Sequence, residues 1–201
     1  MQLVAQFYAK IHGLCNWLHK IQPMSLPHAL LTALVEQPSS GSDLAGRFDR
    51  SIGYFWHATH QQIYRELGRL EEAGWLESLP PESGRGRKKM YRVLPAGRDE
   101  LRRWVGESQD PMPLRDALMV RIRAESVVGP TLLADDIQRR LALHQQKLAL
   151  YRDIEVRDFA AGNPSRKARL QHLVLNAGIM QETMWIEFAE KAQQILAAPE
   201  E

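Results

Sequence analysis

Cysteine is almost absent from this 201-residue sequence, where Cys15 is the one example. A disulfide within the chain and a thiolate metal cluster are therefore excluded, which favours a reducing cytoplasm. Apolar runs are short, and none approaches the roughly 20 residues that a membrane-spanning helix needs. Charge of one sign is lacking too, because 26 lysines and arginines stand against 24 aspartates and glutamates. We expect no membrane partner and no nucleic-acid-binding tail of one charge.

The distribution of charge is more informative than its total. Residues 24–105 contain 12 lysines and arginines against 10 acidic residues, whereas residues 106–201 contain 12 against 14. If the chain binds DNA, the local placement of charge must therefore provide the attraction. The apolar fraction of 44% is enough for the core of one domain or two small ones.

The first 23 residues carry apolar side chains at helical spacing: Leu3, Val4, Phe7, Ile11, Leu14, Leu18 and Ile21. This pattern predicts an amphipathic helix that packs on the domain or on a partner subunit. Two alternatives remain. One is attachment to a membrane surface, for which the segment supplies Lys10 and Lys20 as its lysine and arginine cations. The other places the natural start at Met24 and makes the segment a translated leader.

Three helices are predicted between residues 25 and 74. Ser25 and Pro27 mark the start of the first, and the breaker sequence EQPSSGS ends it. Ser42 is predicted to cap the second helix, which ends at Gly53. Its inward stripe consists of Leu44, Ala45, Phe48 and Ile52.

The stretch THQQIYRELGRLEEAGWLES, residues 59–78, predicts the third helix. Thr59 and Gln62 form a capping box at its start, and Gly74 stands where a left-handed C-cap belongs. Three side chains at helical spacing are predicted to face the core: Ile63, Leu67 and Leu70. The outer side of the helix carries polar, aromatic or cationic residues: His60, Gln61, Tyr64, Arg65 and Arg69.

A basic hairpin follows the third helix. Residues 75–79 and 89–94 suit two short strands, and the loop between them carries four cations against Glu82: Arg85, Arg87, Lys88 and Lys89. A fourth helix is expected over residues 96–106, with Leu101, Trp104 and Val105 turned inward. Three helices followed by a basic hairpin predict a winged helix-turn-helix domain.

The C-terminal part is predicted to be wholly helical. After the linker GESQDPMP, helices are expected over residues 114–127, 131–159 and 165–196, with the last two forming an antiparallel hairpin. Two long helices cannot enclose both of their apolar faces, so a second subunit is predicted to cover the rest. The predicted class is mainly α, with a winged helix-turn-helix domain at 24–106, a linker at 107–113 and a helical dimerisation domain at 114–201.

These motifs resemble a known family. The segment HALLTALVEQPSSGSDLAGRFDRSIGYFWHATHQQIYRELGRLEEAGWLES, followed by GRKKMYRVLPAGRDELRRWV, is similar to the PadR family of bacterial transcriptional regulators. The most specific parts are the block IYRELGRLEEAG and the wing end KMYRVLPAG. PLRDALMVRI and the helical tail resemble the longer, Vir-like branch that includes AphA.

The resemblance implies a homodimeric DNA-binding regulator, usually a repressor and often released by a small aromatic or other ligand. Four residues match the family's recognition helix: Thr59, Gln61, Tyr64 and Arg65. Tyr64 matches the tyrosine that typically contacts the phosphate backbone. Two positions depart from the family pattern. Ser42 stands where a tyrosine is common, and Pro95 replaces a threonine cap worth about 1 kcal/mol, although a first helical turn tolerates proline.

The recognition-helix hypothesis has a physical basis. A helix N-terminus offers free N–H groups and partial positive charge to phosphate. Gln61 and Arg65, one turn apart, can reach base edges in a major groove, where glutamine suits adenine and arginine suits guanine. Wing cations would add a sequence-independent attraction, with about 0.9 of logarithmic salt slope for each neutralised phosphate. The alternative is a solvated helix face beside a charged loop.

An enzyme is the competing class, and the sequence offers little for it. His57 and His60 are three residues apart, and His12 and His19 seven apart, but no carboxylate or cysteine completes a metal set. No serine lies in a G-x-S-x-G elbow, and SGRGRK lacks the flanking strand and helix of a phosphate loop. His144 is interpreted as a hydrogen-bonded interface residue. We expect no catalytic site, metal or cofactor.

A candidate effector pocket consists of aromatic or flexible side chains near expected helix packings: Trp104, Tyr151, Met180, Met184, Trp185 and Phe188. Such residues more often form plain core or a dimer seam. A second functional class also stays open, in which a winged-helix co-regulator acts by protein–protein contact without binding an operator of its own.

Overall fold

Helices dominate the computed structural model, which describes residues 26–50, 58–79, 88–111, 113, 115–159 and 164–198. In chain order the elements are α1 (Leu26–Glu36), β1 (Ser39–Ser40), α2 (Gly41–Arg50), α3 (His60–Glu72), β2 (Leu76–Leu79), β3 (Met90–Val93), α4 (Pro95–Val105), α5 (Ala117–Val128), α6 (Leu133–Phe159) and α7 (Arg166–Leu196). They divide into two compact units between residues 110 and 111. Among the described residues, no helix is long and apolar enough to cross a membrane. The predicted N-terminal segment, residues 1–23, lies outside them.

The first unit is a helical core closed by a three-stranded antiparallel sheet of order β1-β3-β2. Leu76 pairs with Val93 across β2 and β3, and Ser39 pairs with Tyr91 across β1 and β3. The largest core side chains are at most 2% exposed and come from α1, α2, α3 and β2: Leu30, Leu31, Leu34, Leu44, Phe48, Ile63, Leu67, Leu70 and Leu76. The predicted mainly α class with a winged helix-turn-helix is confirmed.

Three local details of the first unit differ from expectation. The cap of α2 is Ser40 rather than Ser42, because the Ser40 hydroxyl accepts the N–H of Asp43 at 3.1 Å. Ser39 and Ser40 also form the short strand β1, which the sequence did not predict. Val105 is 74% exposed instead of inward, since it is the last residue of α4. Three predicted markers lie outside the described residues: Ser25, Ile52 and Gly53.

The second unit is an antiparallel helical hairpin with α5 packed at one end. Contacts across the hairpin run in opposite chain directions, since Gln138 bonds Gln193 whereas Glu155 bonds His172. Ser165 caps α7 by accepting the Ala168 N–H at 3.2 Å. α5 begins three residues later than predicted, where Asp116 accepts the N–H of Leu118 at 2.8 Å. A buried apolar cluster joins the three helices: Leu118, Leu133, Ile137, Leu141 and Ala189.

A buried carboxylate lies within the hairpin. The Glu182 side chain on α7 is 3% exposed and pairs with two α6 residues, His144 at 2.5 Å and Lys147 at 2.8 Å. Burial lowers the pKa of Lys147, but the hydrogen bond and charge of Glu182, with a smaller effect of Tyr151, raise this pKa more. His144 also stacks on Trp185 at 5.8 Å. His144 is therefore hydrogen-bonded, as predicted, and belongs to the packing of α6 on α7.

Candidate nucleic-acid interface

Local sequence fixes both ends of α3. At the start, the Thr59 hydroxyl accepts the Gln62 N–H at 3.2 Å, and the Gln62 side chain accepts the Thr59 N–H at 2.8 Å, which confirms the capping box. At the end, Gly74 adopts a φ of 72°, a left-handed conformation that favours glycine. The Trp75 N–H then bonds the carbonyl of Leu70 at 3.0 Å. These contacts set where α3 begins and ends. Its rotation about its own axis is set by the apolar face that it buries.

That buried face leaves the predicted recognition residues on the outside. Ile63 and Leu67 are 0% exposed and Leu70 2%, as predicted. The outer side chains are exposed: Thr59, His60, Gln61, Tyr64, Arg65 and Arg69. Arg69 pairs with Glu66 at 3.4 Å, whereas Arg65 has no carboxylate partner among the described residues. α3 thus presents an amide and a guanidinium to solvent, which are the groups that contact base edges in a major groove.

The wing begins with two lysines that are already paired. Lys88 donates to Asp43, in the first turn of α2, at 2.7 Å. Lys89 donates to Glu71, in the last turn of α3, at 2.7 Å, and its ammonium lies 5.2 Å from the centre of the Tyr91 ring. These contacts attach the start of β3 to both helices of the helix-turn-helix. Arg85 and Arg87 lie outside the described residues.

The ion pairs at the wing shift the proton affinities of their partners. The pKa of Asp43 is lowered, first by the hydrogen bond from Lys88 and then by the one from Ser40. The pKa of Glu71 is lowered first by the hydrogen bond from Lys89 and then by the Ser78 side chain, with a smaller effect of the Ser78 backbone N–H, and the Glu71 hydrogen bond raises the pKa of Lys89. These shifts favour the charged forms of Asp43, Glu71 and Lys89. A DNA phosphate must therefore compete with a carboxylate for either lysine.

The two carboxylates that pair with the wing lysines, Asp43 and Glu71, were not identified from the sequence. Asp43 had a local signal, because Ser40 and Asp43 follow the S-x-x-acid spacing of a capping box. The Ser40 hydroxyl donates to Asp43 at 2.7 Å in addition to accepting its N–H. Glu71 had none, since its partners Lys89 and Ser78 are brought to it only by the fold.

The candidate effector residues occupy several different environments. In the first unit, Trp104 stacks on His28 with ring centres 4.4 Å apart. In the second unit, Trp185 and Phe188 pack edge to face at 5.6 Å against the buried apolar cluster. Tyr151 is 3% exposed, whereas Met184 is 52% exposed. Their role as a pocket stays a prediction.

A small cleft in the described part of the second unit is lined by other residues: Asp158, Phe159, Pro164, Ala168, Arg169 and His172. Its volume is about 110 Å³, below the range of roughly 300–1,000 Å³ usual for a drug-sized ligand. Within the same described ranges, no group of three or more His, Cys, Asp or Glu side chains could hold a metal ion.

A winged helix-turn-helix joined to a long helical hairpin defines a class of transcriptional regulator, and comparison with known proteins identifies the family. The sequence model of the transcriptional regulator PadR-like family matches residues 30–103, and that of the virulence activator alpha C-terminal region matches residues 114–197. A probable transcriptional regulator of Mycobacterium tuberculosis, Rv1176c, is 40% identical over 185 residues, covering 86% of this chain and 98% of the relative. The chain belongs to the PadR family of transcriptional regulators, and its relatives are not enzymes.

Solved structures of the family share this fold. The virulence activator AphA of Vibrio cholerae is 29% identical, with a TM-score of 0.73 over 86% of this chain and 98% of AphA. Bacillus subtilis PadR in complex with operator DNA is 28% identical, with a TM-score of 0.74 over 88% of this chain and 99% of PadR. The same PadR has been solved with p-coumaric acid, at 25% identity and a TM-score of 0.71 over 86% and 99% of the two chains.

Proposed function

We propose that the chain is a sequence-specific DNA-binding repressor that acts as a homodimer on a palindromic operator in the bacterial cytoplasm. The observation that carries this proposal is the outer face of α3, where Gln61 and Arg65 are exposed and one turn apart. A helix fixed at both ends and supported by a paired wing holds these groups in one position, as base contacts require. The complex of Bacillus subtilis PadR with operator DNA supports the same assignment by family relationship.

We assign functions to the domains with the boundaries predicted from the sequence. We assign DNA binding to residues 24–106, a linker to 107–113 and dimerisation to 114–201. Phosphate contacts are assigned to Tyr64, His60 and Arg69 on α3 and to its N-cap, Thr59. The wing would add Arg85, Arg87, Lys88 and Lys89, of which the described pair, Lys88 and Lys89, must first leave Asp43 and Glu71.

The homodimer is supported by a second apolar face on α7. Ile179, Glu182 and Ala189 are at most 5% exposed and face α6. On a different side, six apolar side chains of α7 remain 47–72% exposed within the single chain: Leu170, Leu173, Val174, Met180, Met184 and Ile195. At 100° per residue they fall in one stripe that runs the length of the helix. An exposed apolar stripe marks an interaction surface, and the same stripe of a second copy is its natural complement.

Repression and release by a small effector extend the proposal. Bacillus subtilis PadR is named a negative transcriptional regulator, and a structure of it contains p-coumaric acid. We therefore propose that a small aromatic ligand releases the chain from DNA, with aromatic acids as the group to test and five candidate contacts: Trp104, Tyr151, Met184, Trp185 and Phe188. Of these, Met184 lies on the exposed α7 stripe, where a ligand could reach it or a partner could cover it.

Selection of bound sequences from random DNA tests the proposal. The wild-type chain should select a palindrome with half-sites one or two helical turns apart. Arg65→Ala should weaken binding to that sequence and relax the preference at one base pair of each half-site, because one arginine contact to guanine is worth about 1–3 kcal/mol. Lys88→Ala should weaken binding to all sequences alike and reduce the salt slope by about 1.

Arg98→Ala is the matched control for Arg65→Ala. Arg98 is an exposed arginine of the same unit but lies on α4, so its removal should leave the selected sequence unchanged. Equal effects of the two substitutions would contradict the placement of α3 in the groove. Failure of the wild-type chain to bind any duplex at low salt would favour the other class, a co-regulator that acts through protein contacts alone.

A further inference from the structure

The first turn of α2 is held in place from two sides. Its N-cap, Ser40, is 1% exposed and belongs to β1, where it pairs with Met90 of β3. The Ser40 hydroxyl also exchanges hydrogen bonds with the backbone N–H and the carboxylate of Asp43. Gly41, which follows Ser40 in the chain, is buried and begins the helix. Its backbone therefore has little freedom to move away from a neighbour.

That neighbour is the Tyr64 ring of α3. A Cβ atom added to Gly41 would lie 2.4 Å from Cε1 of Tyr64, 3.1 Å from Cδ1 and 3.2 Å from Cζ. Real Cβ atoms essentially never approach another atom to within 3.0 Å, so no residue with a side chain can occupy position 41 while the ring stays where it is. The hydroxyl is bonded to Cζ, and it therefore lies beside the first turn of α2.

The Tyr64 ring can move to relieve such a clash, whereas the Gly41 backbone cannot. Its side chain is 48% exposed, so the ring has solvent on one side and can rotate away without disturbing the core. Such a rotation about the Cα–Cβ bond would leave Cβ in place and would displace the hydroxyl, which is at the far end of the side chain. A substitution at position 41 is consequently tolerated by the fold but changes the position of one exposed donor on α3.

We propose that Gly41 is a positioning residue for the DNA interface: its missing side chain seats the Tyr64 ring against the first turn of α2 and thereby fixes where the Tyr64 hydroxyl meets the DNA backbone. This role rests on the proposed function, because it matters only if Tyr64 contacts DNA. It also explains why an aromatic residue with half of its surface exposed can hold one orientation before DNA arrives.

The ring contact is tested first in the free protein. With glycine and tyrosine selectively labelled, wild-type spectra should show a nuclear Overhauser effect between the Gly41 Hα protons and the Tyr64 ring. Gly41→Ala should shift the Tyr64 ring signals without lowering the melting temperature, since alanine is preferred to glycine in a helix. Gly68→Ala on α3 is the matched control, because nothing lies within 4 Å of its added Cβ, and it should leave the Tyr64 ring contact with Gly41 intact. Absence of that effect in the wild-type chain overturns the proposal even if no variant folds.

DNA binding supplies the second measurement, with the duplex that the wild-type chain selects from random DNA. Tyr64→Phe should weaken binding about tenfold, the usual effect of losing one hydrogen bond to a charged group. Gly41→Ala should weaken it by a similar factor, and the double variant by no more than either change alone. A general distortion of α2 would instead make the two losses multiply to about a hundredfold, which overturns the role of Gly41 alone. A wild-type chain that binds no duplex overturns the proposed function, and this role with it.

Discussion

A charge placed on the exposed stripe of α7 should abolish the homodimer. Met180 is 72% exposed in the single chain, and full burial of a methionine contributes about 1.5–3 kcal/mol, so its burial in a dimer would contribute about 1–2 kcal/mol per protomer. Met180→Asp removes this contribution and adds an unpaired carboxylate, whose desolvation costs at least about 2 kcal/mol. Because the dimer has a two-fold axis, both the lost burial energy and the desolvation cost occur once in each protomer. The total of about 6–8 kcal/mol raises the dimer dissociation constant by more than ten-thousandfold.

Sedimentation velocity at micromolar concentration is the direct assay. The wild-type chain should sediment as a dimer and Met180→Asp as a folded monomer, with an unchanged helical circular dichroism spectrum. Val156→Asp is the matched control, because Val156 is 70% exposed but lies on α6, away from the stripe. In DNA binding, Met180→Asp should lose affinity for the palindrome while keeping the affinity of one subunit for a single half-site. A Met180→Asp dimer, or equal dissociation of both variants, would refute the assignment of the stripe.

Three further predictions concern the first unit. Asp43→Asn should tighten binding to every duplex about two- to fivefold in fluorescence anisotropy, because the exposed ion pair no longer competes for Lys88, and the gain should shrink in a Lys88→Gln background. Glu100→Gln should lower the free energy of unfolding at pH 7 by about 1.5–3 kcal/mol, the usual contribution of a hydrogen bond to a charged group. The Arg103 hydrogen bond, opposed by burial and aided by His28, lowers the Glu100 pKa from 4.5 to about 2, so wild-type urea titrations should show this increment lost as pH falls from about 4.5 to about 2. Gly97→Ala should lower the free energy of unfolding, measured by thermal denaturation, by about 1–3 kcal/mol. The added Cβ would lie 2.5 Å from the backbone carbonyl oxygen of Trp75, the residue directly before β2.

The parts of the fold that were predictable depend on residues close together in the chain. Thr59 and Gln62 are three residues apart, and their reciprocal hydrogen bonds set the start of α3 wherever the helix packs. Gly74 ends that helix for an equally local reason, its positive φ. Pro95 is accommodated in the first turn of α4, as a missing N–H at that position allows. Where two local signals competed, the tertiary structure decided: Ser40 and Ser42 both suit a cap, and the pairing of β1 with β3 selects Ser40.

The chemistry of the candidate interface was less predictable, because its charges are paired over long sequence distances. Lys88 and Asp43 are 45 residues apart, and Lys89 and Glu71 are 18 apart. Counting cations in the wing sequence assigns both lysines to phosphate, yet each is held by a carboxylate in the folded chain. The capping-box spacing of Ser40 and Asp43 places Asp43 at the start of α2, but no sequence pattern places either carboxylate beside its lysine, since the contact depends on where β3 meets the two helices.

The same pairing changes what a salt titration of this regulator measures. Counterion release follows the number of phosphates neutralised in the complex, whereas affinity also includes the cost of breaking the ion pairs that exist beforehand. If Lys88 leaves Asp43 to contact phosphate, Asp43→Asn raises affinity at an unchanged salt slope. If Lys88 stays with Asp43 in the complex, the same substitution steepens the slope by up to about 0.9. The slope and the intercept of log affinity against log salt concentration therefore distinguish two cases. In one, the wing lysine leaves its carboxylate for phosphate when DNA binds; in the other, it keeps the ion pair that attaches the wing to α2 and α3.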